Sequence, residues 1–294
     1  MPAPLLFLLS GLTQYLGAAV AVRLFGVLPP ASVAWLRIAV SAVLLLAWAR
    51  PWRRGPWDRR RLLTTAAFGI VLAAMNVCFY VAIAHLPLGT SVAIEFIGPV
   101  AVAAVTGSGW RERVAIAVAA VGVVLLAGVS LKTGGTARVG LLAIGAAATF
   151  WAGYIVLGRR VAGQASGLSG LAVGMSTGAL VLAPGFAGGA GPVLHDARLA
   201  LAVVAVAVCS SVVPYGIEQV VLRRVSAATF AVLLAMLPAT AAVIGAVVLR
   251  QRPSVLDLVG VVAVCGAIAL TARREPPVAR RAREHVVAAV DEQP

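Results

Sequence analysis

The sequence predicts an all-α membrane protein of ten transmembrane helices, arranged as two inverted five-helix repeats with both termini cytoplasmic. Three observations carry that expectation. Of the 294 residues, 61% are hydrophobic and only 12% charged, with a mean hydropathy of +1.00, which leaves too little polar surface to coat a water-soluble globule. The apolar residues gather into ten runs, each long enough to cross about 30 Å of hydrocarbon. A set of matching residues then recurs at one fixed offset between the two halves.

In chain order the runs are residues 4–25, 31–49, 62–84, 88–107, 113–131, 138–158, 168–186, 199–220, 226–248 and 254–272. Backbone groups in lipid must be satisfied within the segment, so the runs are expected to be helices; barrel strands would be about half as long and would alternate polar with apolar. The first run has no charge before Arg23 and no basic segment ahead of it, so it is expected to be a true span and not a cleaved signal peptide. The fourth and ninth contain Pro99 and Pro238, each of which removes a backbone hydrogen bond and bends its helix, either as a gate or for packing alone. In the seventh, Gly170, Gly174 and Gly178 recur at every fourth position and let another backbone come close, within the chain or between copies in a homo-oligomer. The tenth opens on Ser254 with Asp257 three residues later, a helix-capping pattern. The tail, residues 273–294, is polar and cytoplasmic, with no catalytic role.

A net charge of +14 and a pI near 11.5 would suit a nucleic-acid binder, but the basic residues sit in short clusters between apolar runs, where they set membrane orientation. With both ends inside, the inner connections and tail hold seventeen of the 24 basic residues, including Arg59, Arg60, Arg61, Arg159, Arg160, Arg223 and Arg224, against six outside. No nucleic-acid partner is expected. Cys78, Cys209 and Cys265 lie far apart inside apolar runs and read as small buried hydrophobes, while His85, His195 and His285 are equally scattered, so neither a metal nor another cofactor is expected.

Five spans per half is an odd number, so the second half starts on the opposite face of the membrane and the repeats are inverted. Thr90, Pro99, Arg111 and Arg113 match Thr229, Pro238, Arg250 and Arg252, each pair 139 positions apart. The halves are expected to be residues 1–134 and 135–272, divided at Gly134-Gly135, with a solute path between them.

Charges inside the runs mark the candidate site. Arg37 and Glu95 enter their spans from the outer face and sit about 9 to 11 Å below it, at matched depth. A lone charge in hydrocarbon costs several kcal/mol, so each needs a partner or a wet cavity, and the two are candidate partners for each other. Snorkelling of Arg37 to the outer headgroups is the other reading. Asn76 and Tyr80, four residues apart, share a helix face and either hydrogen-bond a polar solute or tie helices together. Gln14, Tyr15, Trp151 and Tyr154 are further polar or amphipathic groups that either line a path or pack. Glu218, five residues before Arg223, reads as half of a salt bridge at the inner rim. No Gly-x-Ser-x-Gly elbow and no histidine near a buried serine is present, so no enzyme and no catalytic residue is expected.

The run MNVCFYVAIAHLPLGTSVAIEFIGPVAVA at residues 75–103, with PYGIEQ and MLPATAAVIG in the second half, resembles the EamA-type transporters of the drug/metabolite transporter superfamily, most of all the threonine/homoserine exporter branch. The resemblance spans residues 1–272 and includes Arg37, Pro51-Trp52, Asn76, Tyr80, Glu95, Pro99, Tyr215 and Glu218. It implies a multi-pass carrier of the cytoplasmic (inner) membrane, moving a small-molecule substrate outward through a central cavity by alternating access. An amino acid is the implied substrate, with broad-specificity drug or toxic-metabolite export as the alternative. In that scheme Arg37 attracts the solute carboxylate or holds Glu95, Glu95 receives the amino group or a proton, and Asn76, Tyr80, Trp151, Tyr154 and Tyr215 line the site. The family commonly has Glu before the proline of the ninth helix and Gly-Glu after that helix, where this chain has Leu237 and Arg250-Gln251.

Overall fold

The computed structural model describes residues 3–53, 57–106, 110–133, 135–162, 167–224 and 233–271, and among these every regular element is helical. The tail after residue 271, Gly134 and residues 225–232, which include Thr229 and the start of the ninth run, lie outside the described residues. The helices are α1 (Ala3–Leu24), α2 (Pro30–Ala49), α3 (Arg59–Ile83), α4 (Leu88–Glu95), α5 (Ile97–Thr106), α6 (Trp110–Thr133), α7 (Ala137–Ala162), α8 (Gly167–Phe186), α9 (Ala197–Ala207), α10 (Val213–Arg224), α11 (Met236–Val247) and α12 (Val255–Thr271). Seven helices are long and apolar enough to cross a membrane, and Leu88–Ala103, Met236–Val247 and Val255–Leu270 are shorter apolar helices.

Their ends follow from local chemistry. Asp58 caps α3 by accepting from the Arg61 backbone N–H at 2.6 Å, and Asp196 caps α9 by accepting from Arg198 N–H at 2.8 Å. Ser254 and Asp257 close the reciprocal box at the start of α12: Asp257 Oδ2 accepts from Ser254 N–H at 2.9 Å, and Ser254 Oγ accepts from Asp257 N–H at 3.2 Å. Arg50 ends α2 in the left-handed region at φ 44°, ahead of a single 3-10 turn at Pro51–Arg53.

Three of the runs are not continuous α-helices. The fourth breaks at Phe96 into α4 and α5, and Pro99 then occupies the third position of α5, where its missing N–H costs the helix little. In the ninth, the chain turns at Ala235 and Pro238 is likewise third in α11. The eighth run has a break with no counterpart among the sequence expectations, a π turn at Val208–Val212 between α9 and α10.

Close approaches at small residues draw the bundle together. A Cβ on Gly69 of α3 would overlap the Gly174 carbonyl of α8, and one on Gly178 would overlap the Gly69 carbonyl. The glycine stripe of α8 is therefore spent inside the chain against α3, where the backbones touch. Gly122 of α6 and Gly260 of α12 face each other in the same way, each Cβ position within 3.1 Å of the other's carbonyl oxygen. Helix α3 also packs on α7, α2 on α8 and α9, and α1 on α9, α10 and α11. The outward faces are apolar at mid-helix: Val43 is 66% exposed, Leu142 77% and Val262 69%, which is tolerable only against acyl chains.

Candidate functional site

The site begins with a proline. Pro214, the second residue of α10, has no N–H to offer the Ser210 carbonyl one turn back, and the helix answers with the π turn Val208–Val212. Carbonyls on a disturbed turn inside a membrane need other donors. Helix α2 supplies them from one face: Arg37 Nη2 donates to the Ser210 carbonyl, Arg37 Nε to Ser211 Oγ at 2.9 Å, and Ser41 Oγ, one turn further, to the Ala207 carbonyl at 3.3 Å. Helix α1 holds the same turn from the other side, where the Gln14 carbonyl accepts from Ser210 Oγ at 3.0 Å and Gly17 leaves no room for a Cβ.

Arg37 is thus buried among protein groups, only 6% exposed, and does not snorkel. Its guanidinium carbon lies 5.5 Å from the centre of the Tyr80 ring, and Nη1 reaches the Tyr80 hydroxyl at 3.5 Å. Tyr80 itself is fully buried and set by Phe25, edge-on at 6.0 Å, and by Phe79 at 6.1 Å. The ion pair expected from depth matching is not made. Arg37 spends its donors on the π turn and Tyr80, while Glu95, 8% exposed at the end of α4, lies within Coulombic reach of it without a hydrogen bond between them. Depth along a helix says nothing about azimuth, and the unpaired carbonyl was the nearer acceptor.

The remaining candidates divide into two groups. The charge of Glu95 reaches Tyr15 and Tyr215, and that of Arg37 also reaches Tyr215; of their helices, α1 packs on both α2 and α10. Glu218 belongs to the same neighbourhood through Tyr15, Tyr154 and Tyr215; the side chain of Arg223, its expected rim partner, lies outside the described residues. Asn76 is buried and donates from Nδ2 to the Leu72 carbonyl of its own helix at 2.8 Å. Trp151 packs edge-on against Phe96 at 4.5 Å, beside the break that Pro99 follows, and Tyr154 stacks on Phe68 at 4.9 Å. Pro238 sits apart from this centre by sequence and contact; its neighbour Leu237 packs against Gly11 of α1.

Ser41, Ser210, Ser211 and Pro214 escaped the sequence reading. The signal was present: a Ser-Ser pair followed three residues later by a proline in an apolar run announces a carbonyl in need of a donor, as Pro99 and Pro238 did. Gln251 was read only as a departure from the resembled family, not as a contact to α4. Its Oε1 accepts from the Leu88 N–H at 3.0 Å and caps α4 from the far half of the chain. Among the described residues, no group of three or more His, Cys, Asp or Glu stands together as metal ligands.

Comparison with known proteins places this arrangement. Residues 138–273 match the EamA-like transporter family. The threonine/homoserine exporter RhtA of Salmonella typhimurium is 34% identical over 280 residues, covering 94% of each chain, and RhtA of Escherichia coli K12 is 34% identical over 263 residues, 88% of each. A solved crystal structure at 17% identity superposes with a TM-score of 0.60 over 94% of this chain and 98% of the other, which extends the likeness to the fold. Buried charge inside a lipid-facing bundle is rare and marks a functional site. With full-length identity at that level, the chain belongs to the drug/metabolite transporter superfamily, as an EamA-type member of the branch that holds the RhtA exporters.

Proposed function

We propose that this protein exports a small amino acid of the threonine or homoserine kind across the cytoplasmic membrane by alternating access. The observation that carries the proposal is the 34% identity to threonine/homoserine exporters across nearly the whole chain. The chemistry of the centre agrees with it: a zwitterion needs one cationic and one anionic partner, and Arg37 and Glu95 stand within Coulombic reach without neutralising each other through a hydrogen bond. Arg37 receives the solute carboxylate, Glu95 the amino group or a proton, and Tyr80, Asn76, Tyr215, Trp151 and Tyr154 shape the space between them. Glu218 lends charge to the same chamber.

The seven long helices and three shorter apolar ones make ten crossings, with both ends cytoplasmic by the distribution of arginine. Residues 1–134 and 135–272 form inverted repeats. Packing supports this: α2 on α8, α6 on α12 and α4 on α11 are each a helix against its own counterpart, and α3 on α7 is matched by α9 and α10 on α1. The facing glycines Gly122 and Gly260 lie where a pseudo-twofold axis would pass, and the breaks at Phe96 and Ala235 share the 139-residue offset of Pro99 and Pro238. Those two breaks are the bends on which the halves rock.

Proteoliposomes preloaded with an amino-acid panel, with and without imposed proton gradient and voltage, test the proposal. Efflux of threonine and homoserine above empty-vesicle leakage is expected. Flux of apolar drugs alone, indifferent to every amino acid, would replace it with a broad drug exporter.

A further inference from the structure

Arg37 has two claims on its guanidinium: the solute carboxylate and the π turn of the eighth run. The Nε and Nη2 edge cannot meet both, because Nε is already committed to Ser211 Oγ at 2.9 Å and Nη2 to the Ser210 carbonyl. A carboxylate prefers two parallel N–H donors, and the Nε and Nη2 edge is such a pair. We propose that Ser211 and Pro214 are positioning residues that park Arg37 on the Val208–Val212 turn in the empty carrier. A carboxylate-bearing solute then draws the guanidinium off that turn, which frees α9 and α10 to move. The inference rests on the assignment of Arg37 as carboxylate receiver and adds what that assignment lacks, a mechanical link from binding to motion.

The link has a covalent origin. Pro214 withholds the N–H that would satisfy Ser210, so the Ser210 carbonyl is open to Arg37. When the guanidinium leaves, the turn keeps only the Ser41 and Gln14 contacts and loses its charged anchor. Competition of this kind lowers apparent affinity by the fraction of carriers in which Arg37 is unavailable. Weakening the parking bonds therefore tightens binding of carboxylate-bearing solute, the opposite of what loss of a solute-binding group does.

Half-saturating concentrations for threonine and for threoninol, the same molecule without the carboxylate, read this directly in purified full-length carrier. Ser211→Ala removes one parking bond. Pro214→Ala restores the N–H and lets Ser210 bond within its own helix. Each is expected to lower the threonine value about five-fold while leaving threoninol unmoved. In the wild-type carrier, saturating threonine should speed amide hydrogen exchange across residues 206–215, and threoninol should not. Threonine values that stay fixed or rise in both variants, or that shift equally for threoninol, overturn the inference while Arg37 remains the carboxylate receiver. Arg37→Lys with an unchanged preference for threonine over threoninol sinks that assignment, and the inference with it.

Discussion

Helix α3 runs unbroken from Arg59 to Ile83, whereas the α9–α10 pair, which lies at the 139-residue offset from it, is interrupted at Val208–Val212. At the 139-residue offset Met75 stands opposite Pro214 and Val71 opposite Ser210. Met75 has an N–H and Val71's carbonyl is served within α3; Pro214 has none, and a buried arginine from α2 serves Ser210 instead. The counterpart of Arg37 at that offset is Ser176, whose hydroxyl donates to Ala172 in its own helix at 2.8 Å, because no broken turn faces it. The unbroken helix satisfies its carbonyls from within, and the broken one draws a buried arginine to the turn it cannot satisfy. The comparison teaches that the disturbed turn belongs to the α9–α10 segment, while the buried Arg37 and Glu95 are brought by α2 and α4.

The largest expected effect removes one ion. Glu95→Gln keeps the shape and the hydrogen-bonding capacity of the side chain but deletes the negative charge, and efflux of preloaded threonine should fall to the leakage rate while membrane level and thermal stability hold. Unchanged efflux would reduce Glu95 to packing. Next comes transfer of the break to the other half. Met75→Pro gives α3 the defect that α10 carries, without an arginine waiting opposite the Val71 carbonyl. The cost should be about 3 kcal/mol or more, visible as a large fall in the melting temperature of the detergent-solubilised carrier. A change below about 1 kcal/mol would mean that α3 absorbs a proline as easily as its counterpart and that the arginine bracket is dispensable.

How much of this was legible in the sequence depends on the distance over which each cause acts. Helical runs, the Ser254–Asp257 box and the glycine stripe of α8 are set by neighbours within one or two turns, and the coordinates place them where spacing did. The prolines announced bends in the fourth and ninth runs, and the chain turns three residues before each. Arg37 was legible as a charge in need of a partner, but its choice of Ser210 and Ser211 over Glu95 depends on how α2 is rotated against a helix some 170 residues later, and no local pattern encodes that angle. The close pairing of Gly122 with Gly260 was hidden for the same reason: each glycine alone is unremarkable in a membrane helix, and only the fold brings them together.

A smaller effect tests the local kind of encoding. Ser254→Ala deletes one arm of the capping box, leaving the Asp257 N–H without Ser254 Oγ, at the start of α12. Stability should fall by about 1 kcal/mol with efflux unchanged, because the box lies far in sequence and function from Arg37 and Glu95. Loss of efflux at retained stability would tie the outer end of α12 to the transport cycle.

The smallest expected effect concerns Gln251, one of the positions at which this chain departs from the pattern of the family it resembles. Gln251 caps α4, whose C-terminal residue is Glu95, through a side-chain carbonyl on the Leu88 N–H. A carboxylate can accept the same bond, and the partial positive charge of a helix N-terminus favours an anion there by a few tenths to about 1 kcal/mol. Gln251→Glu should therefore raise thermal stability slightly and leave threonine efflux as it is. The amide already does what the familial carboxylate would do at this place, which is to hold the first turn of α4 against the end of α11, where the Gln251 side chain lies on Gly245. A gain in proton-driven efflux in the Gln251→Glu carrier would give the carboxylate a part in coupling as well, and would mark Gln251 as the place where this chain has given that part up.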